Sequence, residues 1–160
     1  MMRRRAVVVV TAALAAAAVG VALSVRADPT DDDPNAAALD PDYAAGKKAI
    51  EAKDWRAAVK ALSAAALRDT RNPDIQNYLG YAYRHLGDLK LAFAHYERAL
   101  KLNPRHRGAH EYAGEAALLA GDLPRAQRHL AALKTICVLP CEEYDDLKAA
   151  VDAYPRAKAP

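Results

Sequence analysis

Cysteine and histidine are the two residue types whose spacing in this 160-residue sequence could support chemistry. Cys137 and Cys141 are the only cysteines, and Val138-Leu139-Pro140 separates them. In an oxidising compartment such a pair bonds, and in the chain-entropy model a closed loop of about five residues contributes about 2 kcal/mol. A catalytic thiol pair is the sharper alternative. Redox enzymes, however, place two residues between their cysteines at a helix start, whereas here three intervene across a proline. A metal-carrier role for Cys137 and Cys141, or two separate thiols, completes the alternatives. His106 and His110 are four apart, a separation that puts two imidazoles on one helix face. No third ligand accompanies them in sequence, so both read as structural, and His85, His95 and His129 have no ligand spacing. The sequence has no glycine-rich phosphate loop, serine nucleophile motif or histidine-glutamate zinc signature, and its two serines are Ser24 and Ser63. A non-enzymatic chain needing no metal and no cofactor is the expectation.

Composition and register say which elements hold these residues. Alanine fills 39 of the 160 positions and aromatic residues only 6% of them, so closely packed helices are expected rather than a sheet. Three sets of residues recur at intervals of 34: Gly46, Gly80 and Gly114; Asp54, Asp88 and Asp122; Ala58, Ala92 and Ala126. Bulky residues keep the same register, as in Trp55, Leu89 and Leu123, or Leu62, Tyr96 and Leu130. A period of this length signals stacked repeats. Each window reads as two helices meeting at a tight turn. Asp40-Pro41 and Asn72-Pro73 set a capping residue ahead of a proline in the first turn. First helices end near Lys53, Gly87 and Gly121, and the aspartate that follows each one caps the second helix. Glycine costs a helix up to about 1 kcal/mol relative to alanine, so its recurrence at one register points to close helix approach. Ala58, Ala92 and Ala126 are the expected matching small face.

The middle window, with Leu79-Gly80, Tyr83, Gly87-Asp88, Ala92, Tyr96, Ala99 and Pro104, resembles the tetratricopeptide repeat family. The first window keeps Gly46, Ala58, Leu62 and Ala65 but has Ala49 and Thr70 where the family favours tyrosine and proline. The third keeps Gly114, Gly121 and Ala126 but has Leu133 and Val138 at the last two family positions. The resemblance implies an all-α, right-handed solenoid of three helix-turn-helix repeats, about 39–72, 73–106 and 107–140, whose concave face binds partners. By the same resemblance Tyr43, Lys47, Glu51, Asn77, Tyr81, Arg84, His85, Glu111 and Glu115 line that groove, while Tyr78, Tyr83, Tyr96 and Tyr112 fall mostly in packing registers. Mixed charge with aromatic anchors suits an extended peptide or a partner helix. Some family members grip carboxylate-terminal peptides with a set of lysine, asparagine and arginine, and the full set finds no place here.

The ends of the chain complete the reading. Arg3-Arg4-Arg5, the uncharged run 6–25 and Val25-Arg26-Ala27 have the layout of an export signal cleaved after Ala27. Kept as an anchor, the same run gives the alternative of a membrane-tethered envelope assembly factor. No lipid-modifiable cysteine stands just after the run, which argues against a lipoprotein. Removal of 1–27 leaves 19 basic side chains against 20 acidic ones, so the formal charge of +3 does not point to nucleic acid. Residues 28–40, with Asp31-Asp32-Asp33-Pro34, read as an acidic flexible linker. Beyond Pro140, residues 141–154 carry Tyr144, Leu147, Val151 and Tyr154 on one face, the pattern of a capping helix, and 155–160 form a frayed tail. The whole describes an exported chain, periplasmic or secreted, with a repeat domain over 41–154. It acts as a scaffold for a protein or peptide, without membrane insertion once the signal is removed. A second copy meeting an exposed end face is compatible with so short a stack.

Overall fold

The computed structural model describes residues 40–155. The segment 1–27 expected to be an export signal, residues 28–39 of the expected linker and the tail from 156 lie outside the described residues. Within them the chain is all helix: α1 (Pro41–Glu51), α2 (Trp55–Arg68), α3 (Pro73–His85), α4 (Leu89–Leu102), α5 (Arg107–Leu119), α6 (Leu123–Ile136) and α7 (Glu142–Ala153). None of these helices is long and apolar enough to cross a membrane.

Caps set the boundaries. Asp40 and Asn72 accept hydrogen bonds from the first-turn amides of α1 and α3, with proline next in line. Asp54, Asp88 and Asp122 accept from Ala57, Leu91 and Arg125 at 3.0, 2.9 and 2.8 Å, satisfying amides that have no partner within their helix. The turns before them pass through the left-handed region at Lys53 (φ 57°), Gly87 (φ 82°) and Gly121 (φ 78°), three positions in one register. At α5 the cap is His106, whose Nδ1 accepts from the Ala109 amide at 3.1 Å.

Consecutive helices pair as α1–α2, α3–α4 and α5–α6, and α2 packs on α3, α4 on α5, and α7 on both α5 and α6. The core runs along the stack as linked clusters rather than one central mass. Tyr43, Leu62, Ile75 and Leu79 anchor the first cluster, Tyr96 with Ala113 and Ala116 the next, and Leu133, Leu147 and Val151 the last. Each fully buried leucine contributes about 2 kcal/mol. No hairpin could hide these faces alone.

The recurring glycines lie at close approaches, but their partners differ from the expectation. A Cβ on Gly46 would sit 2.5 Å from Leu62 Cγ, on Gly80 2.5 Å from Tyr96 Cε1, and on Gly114 2.5 Å from Leu147 Cδ2. Ala58, Ala92 and Ala126 are fully buried, yet the atoms nearest the glycines belong to large side chains folded over them. In the third repeat Leu130 has the register of Leu62 and Tyr96 but is only partly buried, and Leu147 of α7 covers Gly114 instead. Cys137 ends α6, Cys141 precedes α7, and a disulfide joins them.

Candidate concave binding site

Helices α1, α3 and α5 carry equivalent residues one repeat apart, so their open faces form ladders. The first ladder, Tyr43, Asn77 and Glu111, is buried, with 8%, 4% and 9% exposure. The second is Lys47, Tyr81 and Glu115.

At the centre Arg84 of α3 forms an ion pair with Glu115 of α5, its side chain only 9% exposed. The guanidinium lies 5.0 Å from the Tyr81 ring centre and 5.4 Å from that of Tyr112, distances at which the ring faces attract a cation. Tyr81 and Tyr112 are 4.8 Å apart, Tyr81 and His85 4.5 Å, and His85 stacks on Trp55 at 4.2 Å. An aromatic row thus runs from the start of α2 across α3 to α5. Burial, then the neighbouring Arg84, pulls the His85 pKa down and favours the neutral ring. Burial pushes the Glu111 carboxyl up to about 8, and Glu115, Asp146 and Glu143 add to the rise while Arg84 opposes it. Asn77 Oδ1, Arg84 Nε and Tyr96 Oη are buried without a hydrogen-bond partner.

At the other end Lys47 Nζ lies 5.9 Å from the Tyr43 ring centre and 6.0 Å from that of Tyr78. Tyr43 is a correction to the sequence reading. It belongs to the core with Leu62, Ile75 and Leu79 and forms the floor of the face rather than an open anchor, because α3 packs over it at this register. Glu51 is exposed in the last turn of α1 and takes no part in these ring and ion pairs.

Sequence reasoning missed two participants of this site and one histidine pair beside it. Tyr112, assigned to packing, joins the aromatic row, and Trp55 reaches it from the first turn of α2. His110 pairs with His129, their Nδ1 atoms 3.1 Å apart, rather than with His106. The Pro104 carbonyl can only accept, so His110 Nε2 donates to it at 3.1 Å, leaving His110 Nδ1 to accept from His129. His106 instead caps α5 and puts Nε2 3.0 Å from Asp74. Among the described residues no group of three or more side chains is placed to hold a metal ion.

A stack of helical hairpins presenting one ladder-lined face defines an α-solenoid. Tetratricopeptide repeat models match residues 73–106 and 94–135, and this stretch of the chain is made of tetratricopeptide repeats. Solved structures agree on the fold. The TPR2B domain of yeast Sti1 in complex with pHsp70 is 21% identical with a TM-score of 0.64, over 69% of this chain and 93% of that one. PcrH in complex with the chaperone binding region of PopD is 22% identical with a TM-score of 0.66, over 73% and 90%. The Yersinia enterocolitica type III secretion chaperone SycD in complex with a peptide of the translocator YopD is 19% identical with a TM-score of 0.64, over 73% and 88%. No curated protein sequence matches the chain.

Proposed function

We propose that this chain is an exported, non-catalytic interaction scaffold that holds an extended segment of a protein partner against the concave face of α1, α3 and α5. The observation that carries the reading is the arrangement of Arg84 between the Tyr81 and Tyr112 rings and against Glu115. Such an ordered patch of aromatic and charged groups supplies anchoring area at little entropic cost. Polypeptides bound to similar folds, as in the YopD peptide complex of SycD, support it. The layout of 1–27 supports export, and a mature chain whose mass begins near Asp28 is the expected form.

A photocrosslinking residue at His85, exposed beside Tyr81, tests the site against one at Lys60, exposed on α2. Adducts with a polypeptide from position 85 and none from position 60 are expected. Adducts from position 60 alone would refute a concave site.

A further inference from the structure

The first helices α1, α3 and α5 each touch the next along the stack, whereas the second helices α2, α4 and α6 do not, so the latter spread over the convex side. Charge is divided between the two sets. Together α2, α4 and α6 carry nine lysines and arginines and one acidic residue, Glu97. The other four helices carry five basic residues against ten acidic ones. A net charge near zero therefore hides a cationic outer face. Arg56, Lys60, Lys90, Arg98, Lys101 and Arg128 are exposed on it and make no ion pair among the described residues. Glu97 is paired with Arg125 at 3.0 Å, and Asp54, Asp88 and Asp122 hold first-turn amides at the helix starts. Helix stability does not account for the pattern. The first turn of a helix favours acidic side chains, yet α2, α4 and α6 have none there and carry Arg56, Lys90 and Arg125 instead. The same helices expose Leu67 and Leu91, by 83% and 39%. No aromatic ring is among their exposed residues.

We propose that this convex face docks on an anionic lipid surface, its lysines and arginines against the headgroups and Leu67 at the acyl boundary. Each basic side chain brought within a Debye length of such a surface adds attraction. An exposed leucine adds apolar contact that the boundary layer accepts. A nucleic acid would use the cations but leave the leucines in water, and it would find no ring on which to stack a base. The contact is peripheral, as none of the described helices is long and apolar enough to cross a membrane. Docked in this way, the chain turns its concave face, with Tyr81, Arg84 and Glu115, away from the bilayer and leaves it open to a polypeptide.

The test puts an environment-sensitive nitrobenzoxadiazole label on the full chain through Ser63→Cys or His85→Cys. Ser63 is exposed in one stripe with Arg56, Lys60 and Leu67, and His85 is exposed on the concave side. Each labelled chain is mixed with vesicles of phosphatidylcholine alone or with about one part in three phosphatidylglycerol. Emission from position 63 should brighten and shift to the blue with the anionic vesicles only, while position 85 stays as in buffer. Raising salt from about 0.1 M to about 0.5 M should reverse the change, because the Debye length shortens. The triple variant Lys60→Glu, Arg98→Glu and Arg128→Glu, one change on each helix, should bind the anionic vesicles at least about tenfold more weakly with helicity and melting unchanged. No response at position 63, an equal response to neutral vesicles, or full binding by the triple variant would each overturn the inference. So would a duplex oligonucleotide that alters the emission from position 63 where vesicles do not, since the face would then serve a nucleic acid.

Discussion

Gly114 of α5 lies directly beneath Leu147 of α7, so close that a Cβ on the glycine would be 2.5 Å from Leu147 Cδ2. Leu147 is fully buried, and α7 therefore takes over Gly114 the part that the second helix takes over Gly46 and Gly80. Gly114→Ala should destabilise the chain by about 2 kcal/mol, as overpacking of about 3 kcal/mol outweighs a helix-propensity gain of about 1 kcal/mol. Leu147→Ala alone should cost about 3 kcal/mol. With Leu147 already truncated, Gly114→Ala should become neutral or stabilising. Urea unfolding of the four chains measures this, and equal effects in both backgrounds would refute the contact's importance.

Lys53 holds φ at 57° in the register where the other repeats have Gly87 and Gly121. A left-handed conformation costs a side-chain-bearing residue about 1 kcal/mol, part of which glycine gives back through its freer unfolded chain. Lys53→Gly should therefore raise stability by about 0.5 kcal/mol. The converse change is clean, because a Cβ on Gly87 meets nothing within 4 Å. Gly87→Ala should cost about 1 kcal/mol from backbone strain alone. Shifts of the urea midpoint in the same direction for both variants would contradict this account.

The helix boundaries were legible because they are local: Asp54, Asp88 and Asp122 cap helices that begin at the next residue, and a 34-residue period repeats the signal. The ladder positions were legible by register, since equivalent residues must share a face. The Leu147–Gly114 contact was not, because it depends on how far α7 swings across the last hairpin. The His110–His129 pair and the Trp55–His85 stack join different helices, and no spacing along one helix encodes them. Tyr43 was misread because register names a face but not the depth at which the next repeat covers it.

Glu111 makes stability depend on pH in an unusual sense. Its folded pKa of about 8 exceeds the ordinary carboxylate value, burial being the chief cause. The folded chain thus holds this proton more tightly than the unfolded chain. The contribution is fully present below the unfolded pKa and is lost as pH rises through 8. Glu111→Gln should leave melting at pH 4 nearly unchanged and stabilise the chain at pH 9 by about 3 kcal/mol. Melting curves across that range decide the matter, and a variant that gains nothing at high pH would show the carboxylate to be well solvated.

His129 works in the opposite direction at lower pH. Burial first, then His110, Arg125 and Arg128, depress its pKa to about 4. The neutral ring is the folded form, and its contribution is present above the unfolded histidine value and lost as pH falls from 6.5 toward 4. Partial exposure screens the effect, leaving about 2 kcal/mol. His129→Gln should flatten the fall in stability across this window. An unchanged slope would assign the acid sensitivity of this window to other groups, whereas Asp40, which pairing with Arg68 holds near 2, loses its contribution only below about pH 4.

The Cys137–Cys141 bond ties the end of α6 to the start of α7 across a loop that packing does little to hold, since Val138 and Leu139 are 89% and 78% exposed. Cys141 also precedes α7 without a side-chain cap for its first amides, so the covalent link restrains that helix start together with the Arg107–Glu143 ion pair. Replacing both cysteines by serine should cost about 2 kcal/mol in the chain-entropy model. Hydrogen exchange should quicken first in α7, because that helix gains most from the tether. Peptide binding at Tyr81, Arg84 and Glu115 should persist at temperatures where the stack stays folded, as those residues lie on α3 and α5. A thiol-dependent activity would behave in reverse, lost in the double variant while melting and exchange in α7 stayed as in the parent chain.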